Sequence, residues 1–276
     1  MKFGVREIAN VVFRAKSNVR IGNTTFKVGQ PVLYIDSAKT STLEGAATTV
    51  YAQGGRGNSR LIAWEGEKTL TFTVEDALLS PIGLAILSGA GLIKGKEDEG
   101  KKVHVHMTSY AYAEADTGKI DLTEALGTND VICKEAPLFV MGTDPDGSLN
   151  GNIYAAGSVE DKVITCASAE GQTVMVDYYV VKDSADISEI QIDAENFAGY
   201  YYVEAETLFR RQDNGVDMPA NITIPNVKIQ SNFTFSMAST GDPSTFTFTM
   251  DAFPDYTRFD RSKKVLAAIQ IIDTAG

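Results

Sequence analysis

Few side chains in this sequence are spaced to do chemistry. His104 and His106 stand two apart, so on a strand they share a face and could supply two ligands of a metal site. No cysteine or acidic residue follows at a spacing that completes the set, and the pair reads as an exposed strand face. Glu204 and Glu206 also share a strand face, as paired acids of a carboxylate hydrolase would, with Asp177 as a further acid. Asp144-Pro-Asp-Gly-Ser148 puts two carboxylates in one turn. A calcium loop needs a third oxygen ligand and a closing glutamate, so this segment reads as a plain β-turn. Gly89-Ala-Gly-Leu-Ile-Lys-Gly95 carries its glycines after a helix rather than before one, which makes a C-cap and not a phosphate loop. Catalysis needs a nucleophile, a base and an orienting group, or a metal with an open position. The sequence offers neither set, and predicts no enzyme, no metal and no cofactor.

Two arginine clusters suggest contacts rather than catalysis. Arg56 and Arg60 lie in the glycine-rich loop 53–60, and Arg210-Arg211 precede Asp213 and Asp217. In an acidic protein that self-associates, such groups suit acidic patches on a neighbouring copy. Gly54, Gly55, Arg56, Arg60, Arg210 and Arg211 are therefore candidate inter-subunit loop residues.

The elements that would carry these residues are mostly strands. Valine, isoleucine, threonine, tyrosine and phenylalanine dominate most segments, which favours β structure. The clearest pattern is a strand pair, 227–237 with 246–251, around the turn segment 238–244. Alternation puts Val227, Ile229, Phe233, Phe235, Met237, Phe246, Phe248 and Met250 on one side. Lys228, Gln230, Asn232, Thr234, Ser236, Thr245, Thr247, Thr249 and Asp251 take the other, which is short, polar and mostly uncharged. Such a surface resembles a wall more than a pocket. Residues 68–75 alternate in the same way, after an expected turn at Glu65-Gly-Glu67. A helix is expected over 77–88, capped by Asp76 and ended at Gly89, with Pro81 allowing a restart near Ser80. Leu78, Leu79, Ile82, Leu84, Ile86 and Leu87 predict a helix buried on most sides. The segment 37–51 fits a loop or a polar strand, 210–219 a loop, and 265–273 a last strand or short helix. Short strands and Gly-rich turns make 131–182 an inserted β module, leaving 1–130 and 183–276 as the main domain.

At 276 residues the chain has ample core for independent folding. Its net charge of −11 and pI near 4.7 exclude a general nucleic-acid binder, which needs clustered Lys and Arg. They suit a surface past which DNA slides. The first 14 residues lack the apolar core of a signal peptide, and no apolar run approaches the roughly 20 residues of a membrane span. Cys133 and Cys166 are accordingly expected as free thiols.

Two blocks carry a family resemblance. Glu65-Gly-Glu-Lys-Thr-Leu-Thr-Phe-Thr-Val-Glu-Asp-Ala-Leu-Leu-Ser-Pro-Ile-Gly-Leu-Ala-Ile-Leu-Ser-Gly-Ala-Gly91 resembles the strand-then-helix block of tailed-bacteriophage tail tube proteins. Residues 218–237, continuing through 241–251, resemble their C-terminal hairpin. The resemblance implies a mainly β fold, an antiparallel sandwich or barrel with one flanking helix, to which 131–182 is added as an outward decoration. It implies a structural virion protein of the phage tail, assembled in the host cytoplasm into stacked six-fold rings around a hollow tube for double-stranded DNA. Its partners would be itself, with sheath, baseplate and tape-measure proteins, and no membrane. Closure across copies removes the exposed sheet edges of a lone chain, and a lumen poor in Lys and Arg lets DNA pass without holding it. The polar set from Lys228 to Asp251 is then the candidate lumen face. A baseplate or connector protein of the same fold is an alternative reading. Another is a carbohydrate-binding sandwich using Tyr110, Tyr112, Tyr178 and Tyr200 to Tyr202.

Overall fold

Alternation of apolar and polar residues decides most of this molecule. A computed structural model describes residues 2–5, 7–94, 103–182, 187–234, 239 and 245–273. In chain order the strands begin with β1 (Phe3–Val5), β2 (Asn10–Ala15), β3 (Val19–Ile21), β4 (Thr24–Phe26), β5 (Pro31–Ile35), β6 (Ala38–Gly54) and β7 (Ser59–Asp76). Helix α1 (Pro81–Ser88) and β8 (Gly91–Lys94) follow. Next come β9 (Val103–Tyr112), β10 (Lys119–Asp121), β11 (Val131–Ile132), β12 (Phe139–Thr143), β13 (Leu149–Tyr154), β14 (Val159–Glu160), β15 (Val163–Thr165) and β16 (Thr173–Lys182). The chain ends with β17 (Ser188–Gln191), β18 (Tyr200–Arg211), β19 (Asp217–Ile229), β20 (Phe246–Ala252) and β21 (Ala268–Ile271). Among the described residues the fold is mainly β with antiparallel sheets and one α-helix, as expected, and no sheet closes into a barrel.

Contacts divide the chain into two units, 1–92 with 190–276, and 93–189. The inserted unit is larger than the 131–182 module expected from turn spacing. Its first strand, β9, pairs with β16 along ten residues, from Val103 opposite Lys182 to Tyr112 opposite Thr173. That ladder draws 103–112, and β10 through its pairing with β15, into the insert. The unit's own core includes Ile120, Ile132, Val140, Ile164, Val176 and Tyr178.

The first unit is built on a sheet ordered β5-β2-β18-β19-β20-β7-β6, with β1 and β21 paired beside it. Phe13, Phe72, Val74, Val203, Val227, Ile229, Phe248 and Met250 point to one face, and Ile86 and Leu87 of α1 pack among them. Fully burying one such side chain stabilises by about 1.5–3 kcal/mol, so this face is where the unit's stability concentrates. Val227, Ile229, Phe248 and Met250 of the expected strand pair lie on it, and Phe233 packs against it.

Several local expectations change. The pairing of β19 with β20 runs only from Val227 opposite Ala252 to Ile229 opposite Met250, and β19 extends backwards to Asp217 instead of forwards to 237. Residues 231–234 form no ladder, and Phe235, Ser236 and Met237 lie outside the described residues. The expected loop 210–219 shrinks to the turn between Arg211 and Asp217. Pro219 sits inside the strand, and its carbonyl accepts from the Ile272 N–H at 2.9 Å. Pro225 falls where the β18–β19 register shifts, so its missing N–H breaks no ladder rung. The segment expected as a loop or polar strand over 37–51 is the strand β6 from Ala38 onward. The expected turn at Glu65–Glu67 is instead a shift of register inside the continuous β7, where the Glu67 N–H donates to Thr48 Oγ1 at 2.9 Å.

The helix starts at Pro81, the restart point, and not after Asp76. Asp76 still belongs to β7, opposite Phe246 and Ala38, and accepts the Ser37 hydroxyl at 2.5 Å. Ser80 caps the helix, accepting from the Gly83 N–H at 2.9 Å, and Pro81 occupies the first turn, where an N–H is not missed. Leu78 therefore precedes the helix and is exposed rather than buried. Gly89 ends α1 with φ at 72°, and a Cβ there would lie 2.3 Å from the Phe197 backbone, so only glycine fits.

Phe248→Ala should lower unfolding free energy by about 3–5 kcal/mol, measured by urea denaturation. Thr247→Ala on the opposite face should change it by less than about 0.5 kcal/mol.

Candidate lumen and assembly surfaces

The reverse side of the same sheet is built from cross-strand rows. Glu44, Thr71, Asp251, Lys228 and Tyr200 stand in register across β6, β7, β20, β19 and β18. Thr42, Thr73 and Thr249 form a second row, and Thr40, Glu75 and Thr247 a third. Directly opposed side chains on one face are in contact range, so each row acts as a unit. Asp251 accepts from Gln230 Nε2 at 3.0 Å and from Thr71 Oγ1 at 3.3 Å. The Lys228 ammonium lies 5.2 Å from the centre of the Tyr200 ring. Glu75 accepts from Thr40 at 3.1 Å and from Thr245. Those two hydroxyls, Thr245 first, hold its carboxyl below the usual glutamate range, because a hydrogen bond to the charged form favours it.

Of the expected polar set, Lys228, Thr247, Thr249 and Asp251 stand in these rows, and Gln230 and Thr245 are hydrogen-bonded to them. Lys228, Gln230, Thr245, Thr249 and Asp251 are half-buried by their neighbours, while Asn232, Thr234 and Thr247 are exposed. Asn232, Thr234, Thr245, Thr247 and Thr249 line one shallow pocket of about 210 Å³. Ser236 lies outside the described residues. Sequence reasoning missed the share of β6 and β7. Threonine alternation in 69–73 was the available signal, but which strand it paired with was not visible.

The arginines divide. Arg210 and Arg211 end β18 rather than forming a loop. Arg210 makes two hydrogen bonds to Asp217 at 2.6 and 2.8 Å, and Arg211 binds Asp213 at 2.6 and 2.9 Å and Asp273 at 3.2 Å. Asp217 raises the Arg210 pKa and Asp213 that of Arg211, so both guanidiniums are engaged within the chain. Gly54, Gly55, Arg56 and Arg60 lie at the tip of the β6–β7 hairpin. Arg60 stacks over Tyr51 at 4.0 Å. Arg56 sits between Gly55 and Gly57, whose φ angles of 76° and 90° make the tight turn.

That hairpin is an arm. From Glu44 to Gln53 and from Ser59 to Thr69 every residue except Ala52 is exposed. At 3.3 Å per residue it reaches roughly 30 Å beyond the packed part of the sheet. Val50 stands opposite Trp64 and Ala52 opposite Ile62, an apolar stripe in which Val50, Ile62 and Trp64 are each more than half exposed.

The residues considered for chemistry are dispersed. Glu204 and Glu206 do share a face, but Glu204 is bound to Arg14 at 2.6 Å. His104 and His106 are exposed on β9, and His106 Nε2 lies 2.9 Å from Asp177. Among the described residues no three His, Cys, Asp or Glu groups converge as a metal site would need. Asp144 and Asp146 form a turn closed by the Gly147 N–H to the Asp144 carbonyl, 2.9 Å. Of the tyrosines, Tyr110, Tyr112 and Tyr200 are exposed, while Tyr178, Tyr201 and Tyr202 are buried. Burial alone pushes the Tyr201 hydroxyl up to about 12. Cys133 and Cys166 are unpaired.

Comparison with known families decides the class. A family model, the YomU/Tube protein family, matches residues 3–265. The chain belongs to that family. It is a phage tube-type structural protein and a component of the virion tail. No curated protein matches it. The family match spans both units, so the insert at 93–189 falls within the matched length.

Thr245→Val should raise the Glu75 pKa toward the ordinary glutamate value, since the larger of its two hydroxyl donors is removed. A carboxyl titration by NMR checks this.

Proposed function

We propose that the protein self-assembles into stacked rings of six, forming a hollow tail tube through which double-stranded DNA passes, and that it is not an enzyme. The observation that carries this reading is the exposed arm. A two-stranded hairpin in water is marginally stable by itself. An apolar stripe such as Val50, Ile62 and Trp64 gains by burial against another surface. A second copy of the chain offers such a surface, and on this reading the arm is a contact that joins copies. Sheath, baseplate and tape-measure proteins are the further partners.

The polar rows on the reverse of the sheet suit the lumen. Three carboxylates, Glu44, Glu75 and Asp251, stand there against Lys228, with Lys39 near Glu75. Threonines fill most remaining places. Each phosphate neutralised by Lys or Arg strengthens DNA binding. A face in which carboxylates outnumber ammonium groups therefore repels the backbone weakly and leaves transit free.

Trp64→Asp should prevent tube formation, seen by negative-stain microscopy, while circular dichroism shows an unchanged fold. Tubes of normal length from that variant would remove the arm from the contact. Thr247→Lys and Thr234→Lys should leave assembly intact and slow DNA ejection. Normal ejection rates from such virions would place the lumen on another face.

A further inference from the structure

We propose that the loop 255–265 is a plug, inserting Phe259 and its flanking cations into an acidic pocket on a second copy of the chain. The loop is built to be rigid. Asp255 and Val265 exchange two backbone hydrogen bonds at its neck, 3.1 and 2.8 Å. Inside it, the Asp260 N–H donates to Thr257 Oγ1 at 3.1 Å, and the Ser262 N–H donates to Asp260 Oδ1 at 2.8 Å. Arg258 anchors it from outside, lying 5.1 Å from the Tyr202 ring centre and donating to the Gly29 carbonyl at 2.9 Å. Yet Phe259, at its tip, is 97% exposed, against 71% for the next most exposed large apolar residue. An ordered loop has spent its conformational freedom already, so an aromatic held out by it docks at little further entropic cost. Arg258, Arg261, Lys263 and Lys264 flank Phe259, against two acids, Asp260 beside it and Asp255 at the neck, in a chain of net charge −11. Arg261 and Lys263 make no ion pair among the described residues.

The first unit carries a socket of matching chemistry. A pocket of about 650 Å³ holds Glu7, Asp36 and Glu206, with apolar walls from Ile8, Leu208 and Ile272. None of the three carboxylates has a hydrogen bond or salt bridge to a described residue. Arg210 acts on Glu7 only through space and is already held by Asp217. Asn221, also in the lining, buries its Oδ1 without a donor. An apolar ring fits the walls, and guanidinium and ammonium groups fit the carboxylates. Because Phe259 is exposed, the plug does not occupy its own pocket. Plug and socket are different surfaces, so a head-to-tail contact between them can repeat from copy to copy and build rings or lines. The proposal rests on the self-assembly reading only in that the occupant is another copy.

Purified full-length protein carrying Phe259→Asp should need at least tenfold higher concentration to associate, by light scattering, with an unchanged thermal melt. Arg261→Glu and Glu206→Arg should each weaken association alone. Mixed in equal amounts they should co-assemble, because an alternating arrangement sets every plug against a socket of opposite charge. Tubes from Phe259→Asp at wild-type concentration would overturn the contact and leave the tube reading standing. Oligomers of the wild type that depend on Phe259 but never form tubes would keep the contact and remove the tube reading. Failure of the mixture to assemble, with both single variants folded, would also overturn the pairing.

Discussion

The register between β7 and β20 is the constraint on which the first unit depends. Phe248 stands opposite Val74 and Met250 opposite Phe72, while Thr247 meets Glu75 and Thr249 meets Thr73. A slip of one residue would exchange the two sets and place phenylalanine on the polar side throughout. Everything else follows from keeping that alignment. The helix has an apolar surface to cover because the alternate residues agree across five strands. The cross-strand polar rows exist for the same reason. Hydroxyls at Thr40 and Thr245 that bind Glu75 help to fix it from the polar side.

Much of this was legible in the sequence because alternation is a local property. The two faces of 246–251, the strand at 68–75 and the helix stop at Gly89 were all readable from neighbouring residues. What was not readable depends on partners far along the chain. Residues 233–237 alternate as well as 227–229, but among the described residues the ladder ends at Ile229, and no local pattern marks where a partner strand stops. The polar strand at 38–54 has too little hydrophobicity to announce itself; its pairing with β7 defines it. The same holds for β9, whose ladder with β16 moved the edge of the inserted unit.

The candidate surfaces divide along the same line. The polar set from Lys228 to Asp251 was recoverable because it is the complement of the core face. The engagement of Arg210 and Arg211 by Asp217, Asp213 and Asp273 was only half visible, since Asp273 is distant in sequence. The pocket at Glu7, Asp36 and Glu206 was invisible, because it joins three separate stretches. Phe259 gave no signal either, because a single phenylalanine among cations reads as loop until its exposure is known.

The strand β6 has one further consequence. It pairs with β7 alone among the described residues, and over its 17 residues it carries two charges, Lys39 and Glu44. Natural sheets usually guard such a border with charge, proline or a covering segment. A border left this plain keeps the outer N–H and C=O groups of β6 open to a further strand, so the sheet of one chain ends in a template that another backbone can extend.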